Sequence, residues 1–161
     1  MRFCPNGDRF MKKTTLCYIE KDDMLLMLYR NKKKNDMNEG KWIAVGGKVE
    51  PGETPDECCV REVFEETGIK LNSFHFYGIV KFRATTYEDE DMYLYSSSDF
   101  KLPDELPDCD EGELKWIPKN KLLELPTWEG DRAFHKQMLE GKDTISMTLQ
   151  YVGEECTIIE E

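Results

Sequence analysis

Between Gly47 and Ile69 the chain reads GKVEPGETPDECCVREVFEETGI. The middle of this stretch has the marks of a helix with both ends specified. Thr54 can serve as N-cap, Pro55 suits the first helical position, and Glu57, three residues after the cap, completes a capping box. The helix is predicted to run through Val60, Arg61, Val63 and Phe64 to Thr67, where Gly68 ends it. With Glu62 set at zero and about 100° per residue, Glu66 falls at about 40°, Cys58 at about −40° and Glu65 at about −60°. Val63, Thr67, Val60 and Phe64 fall between about 100° and 200°. This predicts one apolar side packed on a sheet and another side presenting three carboxylates within a turn. Arg61 falls beside Glu65, and Glu53 can reach the same face through the preceding turn.

Three like charges in so narrow an arc raise one another's pKa and weaken the helix. A hard divalent cation, Mg²⁺ or Mn²⁺, removes the repulsion because it favours carboxylate oxygens. Such a cluster also suits phosphate substrates, where metal bridges a polyanion to an acidic protein. The same pattern is also compatible with a solvated acidic helix face.

On the N-terminal side, residues 14–19 and 24–29 are apolar stretches around the charged turn 20–23, a hairpin pattern. Residues 31–40 are polar and loop-like, and Trp42 to Val45 resumes an apolar segment stopped by Gly46 and Gly47. On the C-terminal side, 74–83 and 92–96 read as strands, 99–112 as an acidic loop with prolines, and Leu114 to Ile117 as a short strand. A weaker helix is expected over about 131–140 and a strand over about 144–152. Phe76, Tyr77, Phe82, Met24 and Met27 are expected in the sheet core, and His75 and His135 at the surface or an edge. The expected architecture is a single domain over 1–161, an α/β fold in which helices cover both faces of a mixed sheet as a three-layer α/β/α sandwich.

The chain has 161 residues with 22 Lys and Arg against 33 Asp and Glu, a formal charge of −11. That balance argues against DNA or RNA as direct partner, since a duplex binder carries a basic stripe. The densest basic run, Lys32 to Lys34 near Arg30 and Lys41, is either a solvated loop or an attractor for phosphates. No apolar run is long enough to span a membrane, and the first residues lack the apolar region of a secretory signal, so a cytoplasmic location is expected. Cysteines 4, 17, 58, 59, 109 and 156 have no zinc or disulfide spacing and read as free thiols.

From Gly47 to Ile69 the chain matches, at every specified position, the Nudix box G-x5-E-x7-R-E-U-x-E-E-x-G-U, with Val63 and Ile69 as the bulky apolar residues. The chain therefore resembles the Nudix hydrolases, from about Thr14 to Leu139. The resemblance implies hydrolysis of a nucleoside diphosphate linked to another moiety, with water and usually Mg²⁺, for which Mn²⁺ can substitute. It places metal on Glu62, Glu65 and Glu66, with Glu53 holding the metal or orienting water, Arg61 orienting the carboxylates by ion pairing, and Gly46 and Gly47 allowing close backbone approach. A general base is expected from a distant loop, where Glu111 fits best and Glu113 next; Glu53 is the alternative. Glu111 and Gly47 also count among the expected metal-site residues.

Within the family the chain is similar to MutT-like 8-oxo-dGTP diphosphatases, through Trp42 to Gly47 and through LPTWEGDRAF at residues 125–134. Trp128 offers a stacking surface for a purine, worth about 1–3 kcal/mol, or else packs as an aromatic at the helix start. Asp131, and less so Glu129, can accept from a guanine-like edge. Arg30, Trp42, Gly46, Gly47 and Lys48 complete the expected substrate contacts. The asparagine that reads the base in the human relative, directly after the tryptophan, is Ile43 here. The implied partner is a small nucleoside triphosphate, cleaved to a monophosphate and pyrophosphate, with monomer and homodimer both open. The alternatives are a Nudix hydrolase of ADP-ribose, a dinucleotide or another conjugate, and a non-catalytic nucleotide-binding regulator. The complete carboxylate set disfavours the regulator. An isopentenyl diphosphate isomerase is disfavoured because its cysteine arrangement is not evident.

Overall fold

The computed structural model describes residues 11–161; Cys4 and the other leading residues read above lie outside that range. Strands β1 (Lys12–Lys21) and β2 (Met24–Tyr29) form the expected antiparallel hairpin. Asp22 and Asp23 between them both have positive φ, the conformation a two-residue turn needs to match strand twist. There follow β3 (Trp42–Ala44), α1 (Pro55–Thr67), β4 (Lys70–Ala84), β5 (Glu90–Lys101) and β6 (Glu113–Pro118). A 3-10 turn (Lys119–Glu124), α2 (Asp131–Leu139), β7 (Met147–Val152) and β8 (Glu155–Glu160) complete the chain.

The sheet runs β3-β2-β1-β5-β4-β7-β8, with β6 on the other edge of β2. β1 with β5 and β4 with β7 are parallel, and the other pairs are antiparallel, so the sheet is mixed. Alternation along β1 explains why both faces need cover: Cys17 and Ile19 point to one core and Tyr18 to the other, and all three are buried. Cys59 and Val63 of α1 close the first core with Val45, Ile69 and Tyr95. Phe134 of α2 and Leu122 of the 3-10 turn close the second with Leu25, Met27 and Leu94. The three layers are as expected.

Several local expectations are corrected. β5 runs on to Lys101, into the segment read as loop, because it pairs with the start of β4 as far as Lys70. The C-terminal strand begins at Met147 rather than 144, and neither β8 nor the 3-10 turn was expected. Met24 and Phe76 are exposed, whereas His135 is buried, its Nε2 2.8 Å from the Tyr18 hydroxyl. Among the described residues no helix is long and apolar enough to cross a membrane, and the cysteines are free.

The main correction concerns the rotation of α1. Its capping box forms as read, with Glu57 N–H donating to Thr54 Oγ1 at 3.1 Å and Gly68 closing the helix in the left-handed region. Yet Val60 and Phe64, placed on the packing side by the wheel, are 38% and 47% exposed. The buried side chains are Cys58, Cys59, Val63 and Thr67, an arc from about −40° to 140° on the same wheel. Glu66, at about 40°, lies inside the buried arc. The helix tucks its acidic edge against the sheet rather than turning it away.

Candidate active site

α1 brings its carboxylates against the strand-and-turn segment that ends in Gly46 and Gly47. Neither glycine can gain a side chain: a Cβ on Gly47 would overlap the Glu62 carboxylate, and one on Gly46 would overlap the Thr15 carbonyl. Arg61 is the hub of the acidic edge. Its Nε and Nη2 donate to the two oxygens of Glu53 at 2.6 and 2.9 Å, and Nη1 donates to Glu62 at 2.7 Å and Glu65 at 3.1 Å. Nη2 also donates to the Lys48 carbonyl at 3.2 Å, tying the helix to the segment after Gly47. Together with the Glu50 backbone N–H, the Arg61 guanidinium holds the Glu53 carboxyl down at about 2. Glu62 moves upward because burial outweighs the guanidinium.

Glu66 makes no ion pair with Arg61. Burial, then the charges of Glu62 and Glu111, push it up to about 8, against weaker opposing pulls from the Gly46 backbone and the Arg30 charge. Its Oε2 is buried without a hydrogen-bond partner. A buried acceptor left empty among other carboxylates is costly unless it is protonated or meets a cation. The donor set is all oxygen, which fits a hard divalent ion. Among the described residues no three acidic, histidine or cysteine side chains close around one point. Arg61 draws Glu53, Glu62 and Glu65 to itself instead.

A cleft of about 420 Å³ adjoins these groups, and Gly46, Gly47, Lys48, Arg30 and Glu111 line it together with Trp128 and Asp131. Glu111 brings its charge to Glu62 and Glu66 from the loop before β6, whereas Glu113 is exposed and pairs with Lys115. Trp42 does not line the cleft: its ring packs on Tyr29, 5.0 Å between centroids. Its backbone N–H nonetheless donates to Pro126 at 2.8 Å, which brings the 125–130 segment to β3.

Trp128 is held on every side. Phe82, Tyr87 and Tyr151 meet it edge-to-face, Lys41 Nζ lies 4.7 Å from its ring centre, and its Nε1–H donates to Asn38 Oδ1 at 2.7 Å. Trp128 packs at the start of α2 and also lines the cleft. Asp131, the first residue of α2, is pushed up to about 7 by burial and then by Glu90, while Lys41 opposes the rise. Glu129 is exposed and lies outside the cleft lining.

Sequence reading missed Asn38, Lys12 and Glu90, all of which line the cleft. Asn38 lines the cleft with its amide oxygen committed to Trp128, which leaves its NH₂ donors for a ligand. A polar loop residue has no periodicity to mark it. Glu90 alone had a positional signal, at the entry to an expected strand.

The description "NUDIX domain" belongs to the family model that matches residues 11–138. An uncharacterised Nudix hydrolase of Bacillus subtilis, YvcI, is 28% identical over 148 residues, 90% of each chain. An oxidized purine nucleoside triphosphate hydrolase of Danio rerio is 30% identical over 111 residues, 68% of this chain and 70% of its own. The crystal structure of a MutT protein from Bacillus halodurans superposes with a TM-score of 0.80 at 26% identity, covering 92% of this chain and 96% of the other.

Proposed function

The chain belongs to the Nudix family of phosphoanhydride hydrolases, and on that premise we propose that it is a Mg²⁺-dependent nucleoside triphosphate pyrophosphohydrolase. Its preferred substrates in this reading are 8-oxo-dGTP and related purine nucleoside triphosphates, released as monophosphate and pyrophosphate. The observation that carries the reading is one cleft lined at once by Gly47 and Glu111, beside the unpartnered Glu66 oxygen, and by Trp128, Asn38 and Asp131. A phosphate chain lies by the carboxylates when a purine lies by the tryptophan. The Danio rerio relative named for oxidized purine nucleoside triphosphates supports the same substrate class.

Glu62, Glu65 and Glu66 would hold the divalent ion, with Glu53 and Glu111 beside them. When bound, the ion supplies charge neutralisation on the phosphoryl oxygens and a more acidic water. Arg61 fixes the carboxylate oxygens so that repulsion does not splay them. Glu111, open to the cleft and less buried than Glu66, takes up the proton of the attacking water. Lys12, Lys33 and Lys48 on the cleft wall offset the negative charge of an incoming polyphosphate. Asp131, titrating at about 7, accepts from a purine N–H when ionised and donates to a ring nitrogen or carbonyl when protonated. Asn38 supplies the amide that Ile43 cannot.

The test is hydrolysis with Mg²⁺ of 8-oxo-dGTP, dGTP, other triphosphates, ADP-ribose and dinucleoside polyphosphates, with products identified. The expected result is highest kcat/KM on an oxidised or unmodified purine triphosphate, with pyrophosphate as product. A clear preference for ADP-ribose overturns the substrate assignment.

A further inference from the structure

Arg30 follows β2 directly and was expected to meet the triphosphate, but the structure gives its guanidinium to protein. Nε and Nη2 both reach Asp36 Oδ2 at 2.8 Å, and Nη1 pairs with Glu111. The Arg30 side chain is 12% exposed and that of Asp36 10%. Two loops far apart in sequence, 31–40 and the segment ending at Gly112, thus meet on one cation.

Neighbouring bonds make the junction a staple. Lys32 N–H donates to the Glu111 carbonyl at 3.3 Å, Lys32 Nζ to the Cys109 carbonyl at 3.0 Å, and Gly40 N–H to the Arg30 carbonyl at 2.7 Å. Gly112 lies so close to the Tyr29 carbonyl that no Cβ fits between them.

We propose that Arg30 is a positioning residue: braced by Asp36, it holds the Glu111 carboxylate at the cleft beside Glu62 and Glu66. The electrostatics require some such group. Glu111 lines the cleft beside the carboxylates of Glu62 and Glu66, so its charge meets like charges that would push a free loop away. A buried guanidinium with both forks engaged is a strong restraint, because removing either partner strands a buried charge. Arg30 therefore acts on the chemical step through Glu111, not on nucleotide affinity. The proposal rests on the reading of Glu111 as a working group of the hydrolase.

The experiment uses the full chain as Arg30→Met, Arg30→Lys, Asp36→Asn, Glu111→Gln and the double variant Arg30→Met/Glu111→Gln. Two readouts are taken: kcat and KM on whichever nucleotide the parent cleaves best, and hydrogen exchange of amides 109–112 in metal-free protein. Arg30→Met should lower kcat by about the factor of Glu111→Gln with KM within about threefold, and the double variant should be no worse than Glu111→Gln alone. Arg30→Lys and Asp36→Asn should fall between parent and Arg30→Met. Amides 109–112 should exchange about tenfold faster or more in Arg30→Met. A raised KM with unchanged kcat, or losses that multiply in the double variant, would mark a direct phosphate contact and overturn the proposal. Unchanged exchange in Arg30→Met and Asp36→Asn would also overturn it. If the parent cleaves no nucleotide, the functional reading fails, while the exchange result still decides whether Arg30 holds the loop.

Discussion

Glu66→Gln isolates the cost of the buried carboxyl in the metal-free protein. Burial and the charges of Glu62 and Glu111 lift Glu66 to about 8, against an ordinary 4.5 in the unfolded chain. Below pH 4.5 it is neutral in both states and costs nothing. Through the window up to about 8, unfolding releases a proton that the folded chain retains, so stability falls as pH rises. At about 1.4 kcal/mol per pH unit, the whole window amounts to about 5 kcal/mol, a ceiling because the side chain can relax. Other groups overlap. Glu62, also raised by burial, and Asp131, lifted to about 7, add losses of the same sign. His135, pushed down to about 3 by burial, has the opposite sign, its contribution growing until the unfolded imidazole loses its proton at about 6.5. Glu53, held at about 2, matters only at the acid end.

The measurement is urea denaturation of parent and Glu66→Gln at pH 5, 7 and 8.5, in chelator and in Mg²⁺. In chelator the variant should gain on the parent as pH rises, by about 1 kcal/mol between pH 7 and 8 alone, where the folded carboxyl is already losing its proton. Mg²⁺ should restore most of the parent's deficit at high pH by binding the folded state, and stabilise the variant less. Parallel pH curves for parent and variant in chelator would refute the reasoning, as would equal stabilisation of both by Mg²⁺.

Three further perturbations test the site. Arg61→Met should lower kcat by about 10²-fold or more, and Arg61→Lys should not rescue it, because one ammonium cannot bridge Glu53 bidentately and also hold Glu62; steady-state rates at saturating Mg²⁺ decide this. Gly47→Ala should displace the Glu62 carboxylate and weaken Mg²⁺ affinity by about tenfold or more, read by metal titration. Gly46→Ala, overlapping backbone at Thr15, should instead cost about 1–3 kcal/mol of stability, read by denaturation. Trp128→Leu should raise KM for a purine triphosphate by about tenfold or more with kcat nearly kept, and Asn38→Leu should raise it less; equal KM values for parent and both variants would remove them from the base-binding set.

What could be read before folding was local. The ends of α1 were legible because capping is a contract among Thr54, Pro55, Glu57 and Gly68, all close in sequence. The hairpin of β1 and β2, the three-layer class and the spacing of Glu53, Arg61, Glu62, Glu65 and Glu66 were legible for the same reason. The remote C-terminal pieces were less so: β8 and the 3-10 turn gain their definition from β7 and from the second core.

Sequence by itself thus determined how the carboxylates are spaced around the axis of α1, but only the tertiary structure decided which arc faces the sheet. Periodicity fixes angles relative to one another, whereas burial depends on the surface the helix meets. Small side chains at Cys58, against the Gly47 carbonyl, and at Cys59, in the core with Cys17 and Val45, let the acidic edge sink and leave Val60 and Phe64 outside. Glu66 became a buried acceptor without a partner through that rotation. Long-range meetings settled the rest: Arg30 with Glu111, Trp128 with Asn38 and Tyr18 with His135 each join segments whose encounter no local pattern encodes.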